Sequence, residues 1–170
     1  SSISKKILSK EKIVKLIESL NNEAVELMEL HKEYEPSKFK IEAIPIDKTV
    51  KDGDIIDLGD GVTVKIIEMP GHSKCSIAAY IESEKALFPS DAVPIPVGQT
   101  LKQPLPMAND NFPQDLESLK KISSLDVEIC CLCHRGVLTG KDSKEILKEG
   151  LKAAESYYQL IIDKYKELGG

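Results

Sequence analysis

Residues 62–73, VTVKIIEMPGHS, decide the fold of this chain. The apolar and β-branched residues up to Met69 predict a strand. Pro70 and Gly71 then predict a sharp turn, because proline fixes φ and glycine accepts conformations closed to other residues. His72 therefore leaves the end of a strand at the edge of a sheet, where ligands and catalytic groups collect.

Short strands and then helices surround this run. Turn signals such as Asp52-Gly53 and Gly59-Asp60-Gly61 separate the apolar segments. Residues 89–113 are rich in proline without a sustained period, which predicts a long functional loop. The last helix is predicted to begin with Ser143 as its N-cap. The predicted strands are 39–46, 54–58, 62–69, 76–82, 85–88 and 127–133, and the predicted helices are 114–123 and 143–168.

The first part of the chain has a different pattern. Apolar residues between positions 8 and 34 recur at helical spacing among lysines and glutamates, which predicts one or two amphipathic helices. Pro36-Ser37 ends this region. The sequence thus predicts a helical segment at residues 1–36 and an α+β domain at residues 37–170.

Composition favours an ordinary globular domain. Of the 170 residues, 41% are hydrophobic, and the formal net charge is −5. This charge gives no broad attraction to nucleic acid or to anionic lipid. No apolar run reaches the roughly 20 residues that span a bilayer, and the start of the chain has no signal-peptide pattern. We therefore expect a cytoplasmic protein with neither nucleic acid nor membrane as a partner.

The chain has three histidines, and two of them follow predicted strands. His31 stands in a charged helical context, which favours a solvated surface residue. His72 and His134 each end an apolar strand, and Asp91 does the same. If these strands are neighbours in one sheet, the three side chains reach one rim. A His/Asp/His set suits zinc, iron or manganese.

A structural reading of the same residues stays open. A histidine after a Pro-Gly turn can cap that turn, and an aspartate before a loop often forms an Asx turn. The three side chains are tens of residues apart, and no compact metal motif such as HExxH supports them.

The four cysteines do not have the spacing of a secreted disulfide framework. We expect reduced and mostly buried thiols. Cys131 and Cys133 lie near His134 and could add a thiolate ligand, but their place on an apolar strand favours a role in the core. Cys75, three residues after His72, is a weaker candidate for a role beside the site.

Several motifs occur here in one order: residues 50–59, then Pro70-Gly71-His72-Ser73, then residues 87–91, then residues 133–136. Over about residues 39–168 this order resembles the metallo-β-lactamase superfamily. The resemblance implies that His72 ligates a first metal, that Asp91 bridges two metals, and that His134 ligates the second. Ser90 departs from the family pattern, which commonly has glycine before the bridging aspartate.

One departure is larger. The family's upstream His-x-His-x-Asp-His motif, which supplies the other ligands, is absent from this chain. The family fold is an αββα sandwich of two similar halves, so the resemblance implies that this chain is the C-terminal half. A sheet without its partner exposes an apolar face, so we expect association with the missing N-terminal half or with another copy of the chain.

The resemblance also implies a reaction. A metal-bound water would attack an ester, thioester, amide or phosphodiester in the intact enzyme, with zinc as the expected metal and two ions per site. No protein residue is predicted as the nucleophile. The small-molecule substrate would contact the long loop, where Asn109, Asp110 and Asn111 are the predicted lining. Alternatives are a metal site completed by a separate chain, and a non-catalytic binding domain.

Overall fold

The computed structural model describes residues 46–97, 101, 104–134 and 136–169. The chain divides into two compact units after Val50, and the sheet, the helices and the candidate site all belong to the second unit, Lys51–Gly170. The helices predicted at residues 8–34, and the first predicted strand up to residue 45, lie outside the described residues. The domain boundary predicted after residue 36 stays a prediction.

A six-stranded sheet is the centre of this unit, and its strands lie in chain order. Neighbouring strands are antiparallel except for the fourth and fifth, which are parallel. Five of the strands confirm predicted segments, while the sixth was not predicted because it is a three-residue return strand. The strands are β1 (Ile55–Gly59), β2 (Val62–Glu68), β3 (Ile77–Ile81), β4 (Ala86–Phe88), β5 (Ile129–Cys131) and β6 (Val137–Thr139).

Two helices follow the strands, α1 (Phe112–Ser123) and α2 (Lys141–Glu167). Helix α1 begins two residues before the predicted start, because Asn111 caps it by accepting a hydrogen bond from the Gln114 N–H. The prediction of Ser143 as the N-cap of α2 was wrong, since the cap position is Gly140. Ser143 lies inside the helix and is fully buried. Its hydroxyl donates to the carbonyl of Val127 at 3.2 Å, which fastens α2 to the start of β5.

The core lies between the two helices and one face of the sheet. Alternate strand residues such as Ala78, Leu87 and Cys130 point to this face and are fully buried. Leu119 of α1 and Ile146 of α2 pack against them and are also fully buried. This mostly antiparallel sheet with flanking helices confirms the predicted α+β fold class.

The direction of the strands places the candidate residues on one rim. Strands β2 and β4 are both antiparallel to β3, so they run in the same direction. Strand β5 is parallel to β4. The carboxyl ends of β2, β4 and β5 therefore meet at one edge of the sheet, and His72, Asp91 and His134 follow those three ends.

Candidate metal centre

The turn after β2 depends on Gly71. This glycine has a φ of +144°, a conformation that residues with a Cβ rarely adopt. A Cβ built at Gly71 would lie 2.3 Å from the Cα of Asp115, so the start of α1 occupies that space. The sequence therefore folds α1 directly onto the turn that carries His72.

The ring of His72 is oriented by the proline-rich loop. Its Nδ1 lies 2.6 Å from the carbonyl oxygen of Met107. A carbonyl only accepts hydrogen bonds, so Nδ1 must donate, and the neutral ring then has its lone pair on Nε2. Metal-ligating histidines commonly donate one ring nitrogen to a carbonyl in this way, which leaves the other for the ion. His72 is thus held in the form that a metal ligand requires.

The residues predicted to line a substrate pocket lie beside this turn. The backbone N–H groups of Asp110 and Asn111 both donate to the carbonyl of Gly71, at 2.9 and 3.0 Å. The side chain of Asn111 is used in the cap of α1. The amide nitrogen of Asn109 lies 3.3 Å from Nδ1 of His72. The two backbone hydrogen bonds to Gly71 stabilise the turn, and a role of the three residues in substrate binding stays a prediction.

Two buried polar residues of α1 complete the support of the turn. Ser118 donates from Oγ to the carbonyl of Pro70 at 2.7 Å. Asp115 is only 1% exposed, and neither of its carboxylate oxygens has a hydrogen-bond partner among the described residues. Burial raises the pKa of Asp115 to about 6. Two features of His72 limit this rise in the pKa of Asp115: the positive charge that its ring has when protonated, and its backbone N–H. That N–H is not placed well enough to form a hydrogen bond with the carboxylate.

Sequence reasoning did not single out Asp115. Its position gave a signal, because residues 115, 119 and 122 share one face of a helix at i, i+4 and i+7. Leu119 and Ile122 on that face are fully buried. A carboxylate on a face otherwise used for packing is therefore the feature by which Asp115 could have been found.

Asp91 and His134 come together at the ends of the two parallel strands. Asp91 lies in the short 3₁₀ turn Ser90–Ala92 that follows β4. Ser90 has a φ of +58°, the left-handed region that glycine occupies without strain. The Oδ1 atom of Asp91 lies 3.2 Å from Nε2 of His134, yet it is buried without a well-formed hydrogen bond. A buried oxygen left in this state is suited to a cation.

Strand spacing explains which residues meet. Neighbouring strands are about 4.8 Å apart, so the ends of β4 and β5 are close together, whereas β2 is separated from β4 by β3, about 10 Å in all. His72 accordingly reaches the same rim without joining the Asp91–His134 pair. The described residues contain no group of three or more His, Cys, Asp or Glu side chains arranged to hold a metal.

The donor set fits a divalent metal in its chemistry. A carboxylate with an unpartnered oxygen and an imidazole nitrogen beside it are ligands that zinc, iron and manganese accept. Within the described part of the chain the pair is two ligands of the three or four that such a metal takes. A metal held by this pair would need further ligands.

The cysteines near this pair have different environments. Cys130 is fully buried in the core, and burial raises the pKa of its thiol to about 12, so it is an inert packing residue. The expectation that Cys133 belongs to the core was wrong. Its side chain is exposed beyond the end of β5 and lines a small recess with Asp91 and His134. Desolvation and the charge of Asp91 raise its pKa, which disfavours a reactive thiolate in the metal-free chain.

A second, largely apolar groove has a volume of about 590 Å³. Pro96 lines the recess, while the next residue, Val97, lines the groove. The other wall is α2, which contributes Tyr157 and Leu160, both about half exposed. No helix in the described part of the chain is long and apolar enough to cross a membrane.

Comparison with known proteins points to one family. The model of the metallo-beta-lactamase superfamily matches residues 8–134. The match ends at His134 and begins well before residue 39, where the resemblance was expected to start. It therefore includes most of the segment predicted to be helical.

Curated relatives match over shorter ranges. The acyl-coenzyme A thioesterase MBLAC2 of Bos taurus is 38% identical over 56 residues, which are 33% of this chain and 20% of that protein. The hydroxyacylglutathione hydrolase of Hyphomonas neptunium is 34% identical over 89 residues, or 52% of this chain and 32% of that protein. The matched region thus spans between a fifth and a third of these relatives.

Solved structures match more of the chain. An archaeal metallo-beta-lactamase superfamily protein from Sulfolobus tokodaii aligns with a TM-score of 0.54 and 20% sequence identity. The alignment covers 89% of this chain and 67% of that one. At this identity the likeness concerns the fold alone.

Proposed function

Because the chain belongs to the metallo-beta-lactamase superfamily, a family with hydrolase members, we propose that it carries part of the metal site of a hydrolase. One observation carries the proposal. No described residue gives the buried Asp91 Oδ1 a hydrogen bond, and this oxygen lies 3.2 Å from Nε2 of His134. A cation held by both side chains would satisfy it.

Each residue has a defined part in this proposal. His134 and Asp91 hold a metal between β4 and β5, and His72 offers Nε2 from the end of β2. The metal, when bound, lowers the pKa of a water ligand to about 7 and polarises the scissile bond. Zinc suits the donor set best, and iron or manganese would accept it.

Further ligands are required for the complete site. They are absent as a motif from the sequence, since the histidines are at positions 31, 72 and 134 only. We propose that a segment bearing the missing histidines packs on the sheet face opposite the helices. Ile66, Ala79 and Phe88 are paired across β2, β3 and β4, so they share this face. Ile66 is already buried on this face, whereas Phe88 is 44% exposed, so the apolar contact that we propose is at Phe88.

For the substrate we propose a thioester with an apolar acyl group. The relatives named acyl-coenzyme A thioesterase and hydroxyacylglutathione hydrolase support this choice among the possible bonds. The groove beside Val97 and Leu160 supports the apolar group, because its lining is largely apolar and its first residue, Val97, directly follows Pro96 of the recess that contains Asp91.

Metal content per chain of the purified protein tests the site. With a chain that carries the His-x-His-x-Asp-His motif added to supply the further ligands, we expect bound zinc in the wild type and its loss in both Asp91→Asn and His134→Ala. The third histidine provides a matched control, since His31→Ala should leave the metal content unchanged. A folded wild type without metal, or equal metal content in all four proteins, would refute the site and favour the non-catalytic binding domain.

Activity is tested once metal is present. Release of free thiol from acyl thioesters of increasing chain length should rise with acyl length, and Leu160→Glu in the groove should weaken that dependence. Addition of a chain that carries the His-x-His-x-Asp-His motif should be needed for turnover. Equal rates for esters and thioesters of every length would contradict the substrate class.

A further inference from the structure

We propose that Asp115 is a positioning residue for His72, a buried negative charge behind the turn that strengthens the binding of a metal by the imidazole. The inference rests on the proposed function and adds a residue that belongs to neither the predicted ligand set nor the family motifs. It is carried by the packing of α1 on the Pro70-Gly71-His72 turn.

The first step is the contact itself. The Cα and Cβ of Asp115 would lie 2.3 and 2.4 Å from a Cβ built at Gly71, so no side chain separates this residue from the turn. Ser118, one helical turn later, donates to the carbonyl of Pro70 at 2.7 Å. The first two turns of α1 are therefore in direct contact with the backbone on either side of Gly71.

The second step is the burial of an unsatisfied charge. Asp115 is 1% exposed, and both carboxylate oxygens are without a hydrogen-bond partner among the described residues. Its position on α1 faces the core, where leucine or asparagine would avoid the penalty of a buried carboxylate. A cation held near this carboxylate would offset that penalty.

The third step identifies that counter-charge. His72 directly follows Gly71, the residue against which the backbone of Asp115 packs. A divalent cation on Nε2 would add positive charge beside His72 and stabilise the carboxylate, and by the same interaction the carboxylate would favour the bound cation. The Met107 carbonyl on Nδ1 fixes the ring orientation, and Asp115 acts from the backbone side of the turn.

Asp115→Asn tests this, because asparagine keeps the size of the side chain and removes its charge. We expect the zinc dissociation constant of Asp115→Asn to be 10- to 100-fold larger than that of the wild type, which is the usual effect of losing a group that supports a ligand. The metal-free variant should unfold at the same temperature as the wild type or above it. The cobalt-loaded proteins should differ in their d–d absorption spectra.

The matched control is Asp110→Asn, the other carboxylate beside the turn. Asp110 is one-third exposed and lies 4.0 Å from the Lys74 ammonium, so solvent screens it. The zinc dissociation constant of Asp110→Asn should differ from that of the wild type by less than about twofold. A merely structural role for Asp115 predicts lower metal-free stability in Asp115→Asn with unchanged zinc affinity, and that result would overturn this inference alone. A wild type that binds no zinc would overturn the proposed function and this inference with it.

Discussion

The turn at His72 and the pair Asp91–His134 lie at one rim of the sheet but are built in opposite ways. The backbone around His72 receives hydrogen bonds from the loop before α1 and from the first turns of α1 itself. The Asp91–His134 contact joins side chains that are 30% and 62% exposed. The position of His72 is fixed by the packing of α1, while that of His134 rests on one contact between partly exposed side chains.

This difference follows from what each residue is attached to. The turn of His72 lies under α1, so any change there must displace a packed helix. His134 lies beyond the end of β5 in a short connection to β6, and its side chain is mostly in solvent. Folding and metal binding should therefore separate experimentally at the two places.

The largest expected effect is at Gly71. Gly71→Ala should lower the free energy of unfolding by roughly 2–5 kcal/mol, since it adds backbone strain and a clash with Asp115. Urea unfolding followed by circular dichroism measures this. Gly61→Ala is the matched control, because Gly61 also has a positive φ, +79°, but has no atom within 4 Å of a built Cβ. Equal losses in the two variants would mean that α1 does not pack on the turn.

A pH dependence of stability should follow from Asp115. The pKa of Asp115 is about 6 in the folded chain, against 3.8 for an unperturbed aspartate side chain, so the folded chain binds the proton more tightly. This group's contribution to stability is therefore greatest at low pH, and it falls by up to about 3 kcal/mol as pH rises through the window from about 4 to 6. The free energy of unfolding, measured without metal at a series of pH values, should change differently with pH in the wild type and in Asp115→Asn across that window. Parallel curves would contradict the buried charge.

A smaller effect is expected at the cap of α1. Asn111→Ala should cost about 1 kcal/mol, because the Gln114 N–H loses its acceptor. Asn109→Ala should cost less than about 0.5 kcal/mol, since the nitrogen that Asn109 approaches already donates to Met107. Thermal unfolding of the two variants would distinguish capping from a general effect of losing an asparagine in this loop.

The smallest effect on folding is expected at His134. In the metal-free protein, His134→Ala should change the free energy of unfolding by less than about 1 kcal/mol, because a polar contact of a mostly exposed side chain contributes little. The same variant should lose its zinc. A large loss of stability without metal would remove the distinction between the two regions.

Much of this could be read from local patterns. The alternation of residues 62–69 and the Pro-Gly turn correctly predicted β2 and the departure of His72 from its end. The prediction of Ser143 as the N-cap of α2 was wrong, because Ser143 lies inside the helix. Its hydroxyl is within hydrogen-bond distance of the carbonyls of Val127 and Gly140, which depends on the packing of α2 on β5. The three-residue strand β6 is too short to give a periodic signal.

The sequence by itself determined the residue types, the strand ends at which they stand, and the superfamily, because each of these depends on neighbours along the chain. The tertiary structure decided which residues meet. Parallel pairing of β4 and β5 brings Asp91 to His134, the intervening β3 keeps His72 apart, and α1 buries Asp115 against Gly71. Such contacts join positions tens of residues apart, and they are set by strand order and helix packing, which no local pattern encodes.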